Sequence, residues 1–189
     1  MSQTLAASET AAGRLPGDLA ARELVERMIR VDHAGEYAAV RIYQGQLAVL
    51  RGSEQEATIR HMQEQEQRHL EKFSALIAER RVRPTALLPF WHLASLALGA
   101  ATAALGQRAA MACTVAVEEA IDEHYAKQSA ALGDDEQGLR ETIDRFRAEE
   151  LQHRDIGLEQ GAEQAPAYRL LTQLIKTGCR LAIAASERV

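Results

Sequence analysis

Glu66-Gln67-Arg68-His69 and Glu150-Leu151-Gln152-His153 are two copies of one word, Glu-x-x-His, and each lies in a stretch patterned as a helix. At 3.6 residues per turn, positions three apart share a face, so each word presents a carboxylate and an imidazole to the same point. The copies are 84 positions apart, 66 to 150 and 69 to 153, and a second pair of glutamates, Glu36 and Glu118, keeps nearly the same offset at 82. Glu, Glu-x-x-His, Glu, Glu-x-x-His, one to each of four helices, is the donor set with which a helical bundle holds two iron or two manganese ions in its core. The sequence therefore predicts an all-α four-helix bundle. Its candidate metal ligands and catalytic residues are Glu36, Glu66, His69, Glu118, Glu150 and His153.

One Glu-x-x-His alone is weak evidence, because exposed helices are rich in glutamate. Here the word recurs at a matched spacing, and the two further glutamates that keep its offset have apolar surroundings. Glu36 lies in His33-Ala34-Gly35-Glu36-Tyr37-Ala38-Ala39-Val40, and Glu118 follows Cys113-Thr114-Val115-Ala116-Val117. A carboxylate buried in such company is costly unless it is paired or metal-bound. Four carboxylates and two neutral imidazoles balance two divalent cations. Mixed oxygen and nitrogen donors disfavour a structural zinc site, which prefers thiolates and a closed tetrahedron. Open positions on a shared pair of ions suit oxygen activation by two irons, with two manganese ions as the competing assignment.

Composition agrees with a helical domain. The chain has 189 residues, 47% hydrophobic but only 4% aromatic, a balance poor in the residues that build sheets. A formal net charge of −5 gives no electrostatic basis for nucleic acid as a partner. Cys113 and Cys179 form no zinc or redox spacing and read as buried free thiols in a reducing compartment. Residues 1–18 are rich in Ala, Ser and Thr and read as a flexible N-terminal arm, without the apolar core of a secretion signal or the repeated arginines of a transit peptide. Residues 19–189 read as a single domain.

Along that domain, a first helix is expected from Leu19 to Arg51, capped by Asp18 and stopped by Gly52. Ser53 with Glu56 forms a capping box for a second, running to Arg81. Pro84 and Pro89 break the pattern. Pro84 to Gln107 is then a run of 24 residues without Asp, Glu, Lys or Arg, carrying Phe90, Trp91 and several leucines. Its prolines, glycines and alanines argue against a membrane span. It is the length of a crossover between two hairpins, either packed on the bundle or resting on a membrane surface. Further helices are expected over Gln107–Leu132 and up to Glu159, with a turn at Gly133-Asp134-Asp135, and a last amphipathic one after Pro166 to Ser186. The last helix has Leu170, Leu171, Leu174, Ile175, Leu181 and Ile183 on one side and Arg169, Lys176 and Arg180 on another, fit to cap the bundle or to lie on an anionic membrane.

Other polar residues read as supporting groups. Tyr43 and Tyr125 each follow a candidate ligand by seven positions, about two turns, and are placed near the face of Glu36 and Glu118 respectively. Glu119, Glu123 and Glu149 rotate away from the ligand positions and belong to the surface or to the layer behind the ligands. His33 and His124 are donors in principle, but the counterpart of His33 in the second half is Val115, so His33 is assigned to a layer behind the ligands. His61 and His92 read as ordinary histidines.

Several longer words resemble the demethoxyubiquinone hydroxylases, di-iron monooxygenases of ubiquinone biosynthesis. They are Arg30-Val31-Asp32-His33-Ala34-Gly35-Glu36-Tyr37 with Arg41-Ile42-Tyr43, Arg81-Val82-Arg83-Pro84-Thr85, Met111-Ala112-Cys113-Thr114-Val115-Ala116-Val117-Glu118-Glu119, Glu149-Glu150-Leu151, His153-Arg154-Asp155-Ile156-Gly157-Leu158, Ala165-Pro166-Ala167-Tyr168 and Ser186-Glu187-Arg188. The likeness spans roughly Leu24 to Val189. It implies a ferritin-like bundle with two iron ions, with Glu66 and Glu150 bridging them. It also implies hydroxylation of a polyprenylated demethoxyubiquinone or demethoxyubiquinol ring with O2 and electrons from NADH. No Gly-x-Gly-x-x-Gly dinucleotide motif is present.

By the same resemblance the uncharged segment becomes a membrane contact and tail channel, and a surface for a lipid-binding partner in ubiquinone biosynthesis. A homo-oligomer is compatible with this reading. The expected location is the cytoplasmic face of a bacterial inner membrane, or the matrix face of the mitochondrial one if the chain is a processed form. The competing functions are a ferroxidase or a di-manganese catalase on the same bundle, and a non-enzymatic helical scaffold that binds a membrane or a partner.

Overall fold

The computed structural model describes Leu19 and residues 21–189, so the N-terminal arm and the Asp18 cap lie outside the described residues. Six α-helices follow in order: α1 (Ala21–Val49), α2 (Glu56–Arg80), α3 (Leu88–Ala104), α4 (Gln107–Ala131), α5 (Gln137–Glu159) and α6 (Tyr168–Ser186). Short 3-10 turns at Asp134–Glu136 and Ala162–Gln164 join α4 to α5 and α5 to α6. No strand occurs among the described residues. The hairpins α1–α2 and α4–α5 pack against each other, and α3 and α6 cover one flank of the bundle.

α1 is at the centre. It meets α2, α3, α4 and α6, so its buried positions extend beyond one stripe to include Val25, Ile29, Val40, Ile42 and Tyr43 together with the polar Asp32, Glu36 and Gln46. The core divides around the polar middle of the bundle. One apolar cluster gathers Ile59, Met62, Met111 and Val115, and another gathers Ile29, Phe73, Ile143 and Phe146. Burying each such side chain is worth about 1.5–3 kcal/mol, which lets the bundle carry polar groups between the two clusters.

The uncharged run from Pro84 to Gln107 folds as helix α3 along α1. Pro89 does not break it. It occupies the first turn, where a missing N–H costs nothing. α1 and α3 approach at backbone distance, because Gly45 and Gly99 face the opposite helix. A Cβ on Gly99 would overlap the Ile42 carbonyl oxygen, and one on Gly45 would stand 2.7 Å from Ala100 N. At the far end Gly106 (φ 112) reverses the chain directly into α4.

One local expectation changes and a second is narrowed. Ser53 is not the cap of α2: its hydroxyl has no hydrogen-bond partner and the helix starts at Glu56. The Glu56 carboxylate still reaches back, but it accepts the N–H of Gly52 at 2.6 Å. The intervening residues form a turn that carries Ser53 away from the helix axis.

The second concerns α6, of whose two outcomes the structure takes the cap: Leu171 and Ile175 pack into the core. Lys176 and Arg180 pair with Glu119 and Glu123 of α4 along its partly exposed flank, Arg180 at 3.0 Å. Leu170, Leu174 and Leu181 are left about 60% exposed or more. Part of the apolar side closes the bundle and the rest meets the exterior. The two thiols behave as expected: Cys113 and Cys179 are free, and burial pushes them up to about 12 and about 11.

Candidate metal centre

Glu36 on α1, Glu66 and His69 on α2, Glu118 on α4, and Glu150 and His153 on α5 converge at mid-bundle, all at most 1% exposed. Their donor atoms fall into two groups, each within 4.8 Å: Glu36, Glu66, His69 and Glu150, and Glu66, Glu118, Glu150 and His153. Glu66 and Glu150 belong to both. Both imidazoles turn Nδ1 inward. His69 Nδ1 is 3.0 Å from Glu150 Oε1 and 3.6 Å from Glu36 Oε2, and His153 Nδ1 is 2.9 Å from Glu66 Oε1 and 3.2 Å from Glu150 Oε2.

The donor set can be tested for fit to cations by its own unmet needs. Glu36 Oε2, both oxygens of Glu66, Glu118 Oε2, Glu150 Oε2 and His153 Nδ1 are buried and make no hydrogen bond. An unpaired buried carboxylate oxygen costs several kcal/mol, and these orphaned atoms point at one another. Two divalent cations between them would satisfy every one. The residues fit a pair of metal ions.

Without metal, protons take over part of that role. Burial and then the Glu150 charge push Glu66 and Glu118 well above the usual carboxylate range. Burial opposes a charge on His69, yet contacts with Glu150 and Glu36 outweigh it and hold the imidazole protonated up to about 12. His153, likewise opposed by burial, is held by Glu150 and Glu66 up to about 11. Glu150 is raised by burial but pulled down by both imidazoles, to about 2.

A pH dependence follows with a definite sign. Glu66, Glu118, His69 and His153 hold their protons more tightly in the metal-free folded chain than when unfolded. Their contribution to stability is complete below the ordinary carboxylate value of 4.5 and declines as pH rises, with the imidazoles joining above 6.5. Glu150 acts oppositely, but only below 4.5. The metal-free protein should therefore lose thermal stability from about pH 5 to about pH 8. The loaded protein should gain it, because two divalent ions displace a proton from each of those four groups. Calorimetry of both forms across that range checks the opposed slopes.

A layer of hydrogen bonds surrounds the six. Tyr43 donates to Glu118 Oε1 at 2.9 Å, and Tyr125 donates to Glu36 Oε1. This reverses the expected pairing. Seven residues along one helix is about 10 Å, too far for Tyr43 to reach Glu36. Because α1 and α4 run antiparallel, each tyrosine instead lands opposite the other helix's glutamate. Burial and the nearby carboxylates raise both phenols well above their ordinary value, so they stay protonated donors.

Beyond Tyr125, Asp32 is buried, accepts Gln128 Nε2 at 2.7 Å and lies 3.3 Å from His124 Nε2. His33 joins neither layer. It is half-buried, its Nδ1 lacks a hydrogen-bond partner, and burial lowers its affinity for a proton. His92 instead meets the Tyr37 hydroxyl at 2.8 Å, and His61 is exposed. Glu149 takes the second of its two expected places, behind a ligand: its Oε2 meets His69 Nε2 at 2.8 Å. Gln65 Oε1 meets His153 Nε2 at 3.1 Å. Sequence reasoning missed Gln65, although both residues immediately precede a candidate ligand.

Beside this site lies a cavity of about 430 Å³ bounded by α1, α3, α4 and α6. Gly35, Ala39 and Val117, neighbours of Glu36 and Glu118 in the chain, line it together with Leu98, Ile175 and Ile183. Trp91 on its rim donates its indole N–H to Ser186 Oγ at 3.0 Å and so joins α3 to the end of α6.

With this geometry in place, residues 23–186 match the protein family described as ubiquinone biosynthesis protein COQ7. The chain belongs to this family. Among its COQ7 relatives, the 3-demethoxyubiquinol 3-hydroxylase of Rhodospirillum rubrum is 59% identical over 182 residues, covering 96% of this chain and 86% of that protein. The human NADPH-dependent 3-demethoxyubiquinone 3-hydroxylase, mitochondrial, is 51% identical over 176 residues, covering 91% and 81%. The yeast 5-demethoxyubiquinone hydroxylase, mitochondrial, is 38% identical over 182 residues, covering 87% and 78%. The donor in the human protein's name is NADPH, where the resemblance implied NADH.

Proposed function

We propose that this chain is a di-iron monooxygenase that hydroxylates the ring of a polyprenylated demethoxyubiquinone or demethoxyubiquinol in ubiquinone biosynthesis. The observation that carries the reading is the placement of two donor groups sharing Glu66 and Glu150 next to a long apolar cavity. The names of its relatives support the same substrate class.

Glu36, Glu66, His69 and Glu150 would hold one ion, and Glu66, Glu118, Glu150 and His153 the other. When bound, the iron pair supplies O2 activation. Overall, a ring C–H, O2, two electrons and two protons give a ring C–OH and water. The electrons come ultimately from a reduced nicotinamide, delivered without a dinucleotide fold in this chain.

The protein's own residues set the conditions. Tyr43 and Tyr125 fix one oxygen each of Glu118 and Glu36, leaving the second oxygens free to bind. The cavity wall of Val31, Ala38, Leu98, Ile121 and Ile175 excludes water and accepts a prenyl chain. Its bounding helices α3 and α6 expose Phe90, Leu93, Leu170, Leu174 and Leu181. Such an apolar belt fits the surface of a bilayer, and no helix among the described residues is long and apolar enough to cross one. The belt supports a peripheral membrane enzyme and also suits a lipid-binding partner. The cytoplasmic face of a bacterial inner membrane is the proposed location.

Incubating the iron-loaded protein with a short-chain demethoxyubiquinone, a reduced nicotinamide and 18O2 should place one labelled oxygen on the ring. Ferrous oxidation without labelled product would point to a ferroxidase, and peroxide turnover by a manganese form to a catalase. A second expectation concerns the belt. Phe90→Asp together with Leu181→Asp should weaken vesicle binding by about tenfold or more, since each apolar side chain inserted is worth about 1.5–3 kcal/mol. Co-sedimentation with liposomes measures it, and unchanged binding would remove the belt from the membrane contact.

A further inference from the structure

The two histidines of the centre are held alike in geometry but not in charge. Each turns Nδ1 inward and Nε2 outward, and each Nε2 meets the residue just before a shared glutamate on the facing helix. For His69 on α2 that residue is Glu149, before Glu150, at 2.8 Å. For His153 on α5 it is Gln65, before Glu66, at 3.1 Å. The arrangement is two-fold in placement, with a carboxylate on one side and a neutral amide on the other.

With Nδ1 directed at the donor groups, the tautomer that binds a cation carries its proton on Nε2. The geometry points to Glu149 and Gln65 as positioning residues that make the two metal positions unequal, the position at His69 binding more tightly and filling first. A hydrogen bond from an N–H to a carboxylate is about twice as strong as one to a neutral acceptor. It draws the proton outward, adds electron density at Nδ1 and makes that atom the better donor. An amide oxygen orients His153 without this effect.

Glu149 and Gln65 are both partly exposed, so the two partners differ in charge and not in access. Glu149 is about a quarter exposed (side chain 27%), whereas the six candidate ligands are closed off. It is the anionic group through which His69 communicates with solvent. Phe146, stacked on the His69 ring at 3.9 Å between centroids, fixes the imidazole plane so that the Glu149 contact acts on a ring that cannot swing.

The inference rests on the ligand set proposed above, and its test separates the two. Metal-free protein would be titrated anaerobically with Co(II), followed by its d–d absorption and by the hyperfine-shifted imidazole N–H protons. Wild type should take up two ions in resolved steps, with one exchangeable imidazole proton shifted in the first. E149Q should weaken the first step by about tenfold, the lower end of what such outer partners contribute, and bring the two steps together. Q65E should tighten the second step by a similar factor. The double variant E149Q/Q65E should restore two steps with the histidine signals appearing in reverse order.

A merely structural role for Glu149 would lower both steps equally and would give no reversal. Two-step binding unchanged in E149Q and Q65E would overturn the inference while leaving the ligand set intact. Failure of the wild type to bind two ions would overturn the ligand set itself. Q65E keeps the test decisive should E149Q fold poorly.

Discussion

Glu150→Ala should abolish binding of both metal ions and with it all hydroxylated product, while the helical fold survives. Glu150 is common to both donor groups, so its loss leaves each with three donors and removes one of the two residues they share. It is also the acceptor nearest His69 Nδ1 and lies close to His153 Nδ1, so both imidazoles lose the partner that orients them inward. A hundredfold or greater loss of affinity is expected, beyond the about 10–100-fold typical of outer partners alone. The metal-free fold loses the partner that holds both imidazoles but is relieved of the charge that pushes Glu66 and Glu118 up, so the helices survive at reduced stability. Metal content after dialysis, circular dichroism and product analysis test the three parts. Two ions retained at wild-type affinity would remove Glu150 from the site.

Gly99→Ala carries the largest expected cost to the fold. The added methyl would meet backbone, the Ile42 carbonyl oxygen and Cα, and neither can rotate aside as a side chain would. α1 and α3 must separate, and overpacking of a tight core already costs about 1–3 kcal/mol where side chains can adjust. A loss of about 3 kcal/mol or more is expected here. Because α3 walls the cavity opposite α1, widening this joint should also loosen quinone binding before it affects metal content. Denaturant unfolding and a comparison of KM with metal stoichiometry check both. Gly138→Ala makes a control, since a Cβ there meets nothing within 4 Å.

Much of the fold was legible because burying charge at helical spacing is so costly that it leaves a pattern. Glu36 and Glu118 stand out as carboxylates amid alanine and valine, Glu66, His69, Glu150 and His153 as a repeated word, and the structure brings all six together. Several helix limits were legible from Gly52, the Gly133-Asp134-Asp135 turn and Pro166, within a few residues. What the sequence hid depends on register between helices. The tyrosines cross over because α1 and α4 are antiparallel, a relation that no spacing within one helix encodes. Asp32, His124 and Gln128 form their contacts across the same joint.

For α6 the two sides were visible and capping was one expected outcome, but which residues pair was not: Lys176 and Arg180 meet Glu119 and Glu123 across the joint with α4. Glu149 and Gln65 were legible only after their neighbours had been placed.

The sharing of Glu66 and Glu150 bears on ancestry. Each hairpin supplies three of the four residues of one donor group and borrows the fourth from the other hairpin. A lone hairpin of this kind is an incomplete coordination sphere, and it becomes complete by pairing with a second copy of itself. The near-constant offset between the halves, the crossed tyrosines and the matched Glu149 and Gln65 are what such a paired ancestor would leave behind. In such a history α3 would be the strap that joins two chains into one, and fusion would let each half change alone, so that a glutamate stands on one side where a glutamine stands on the other.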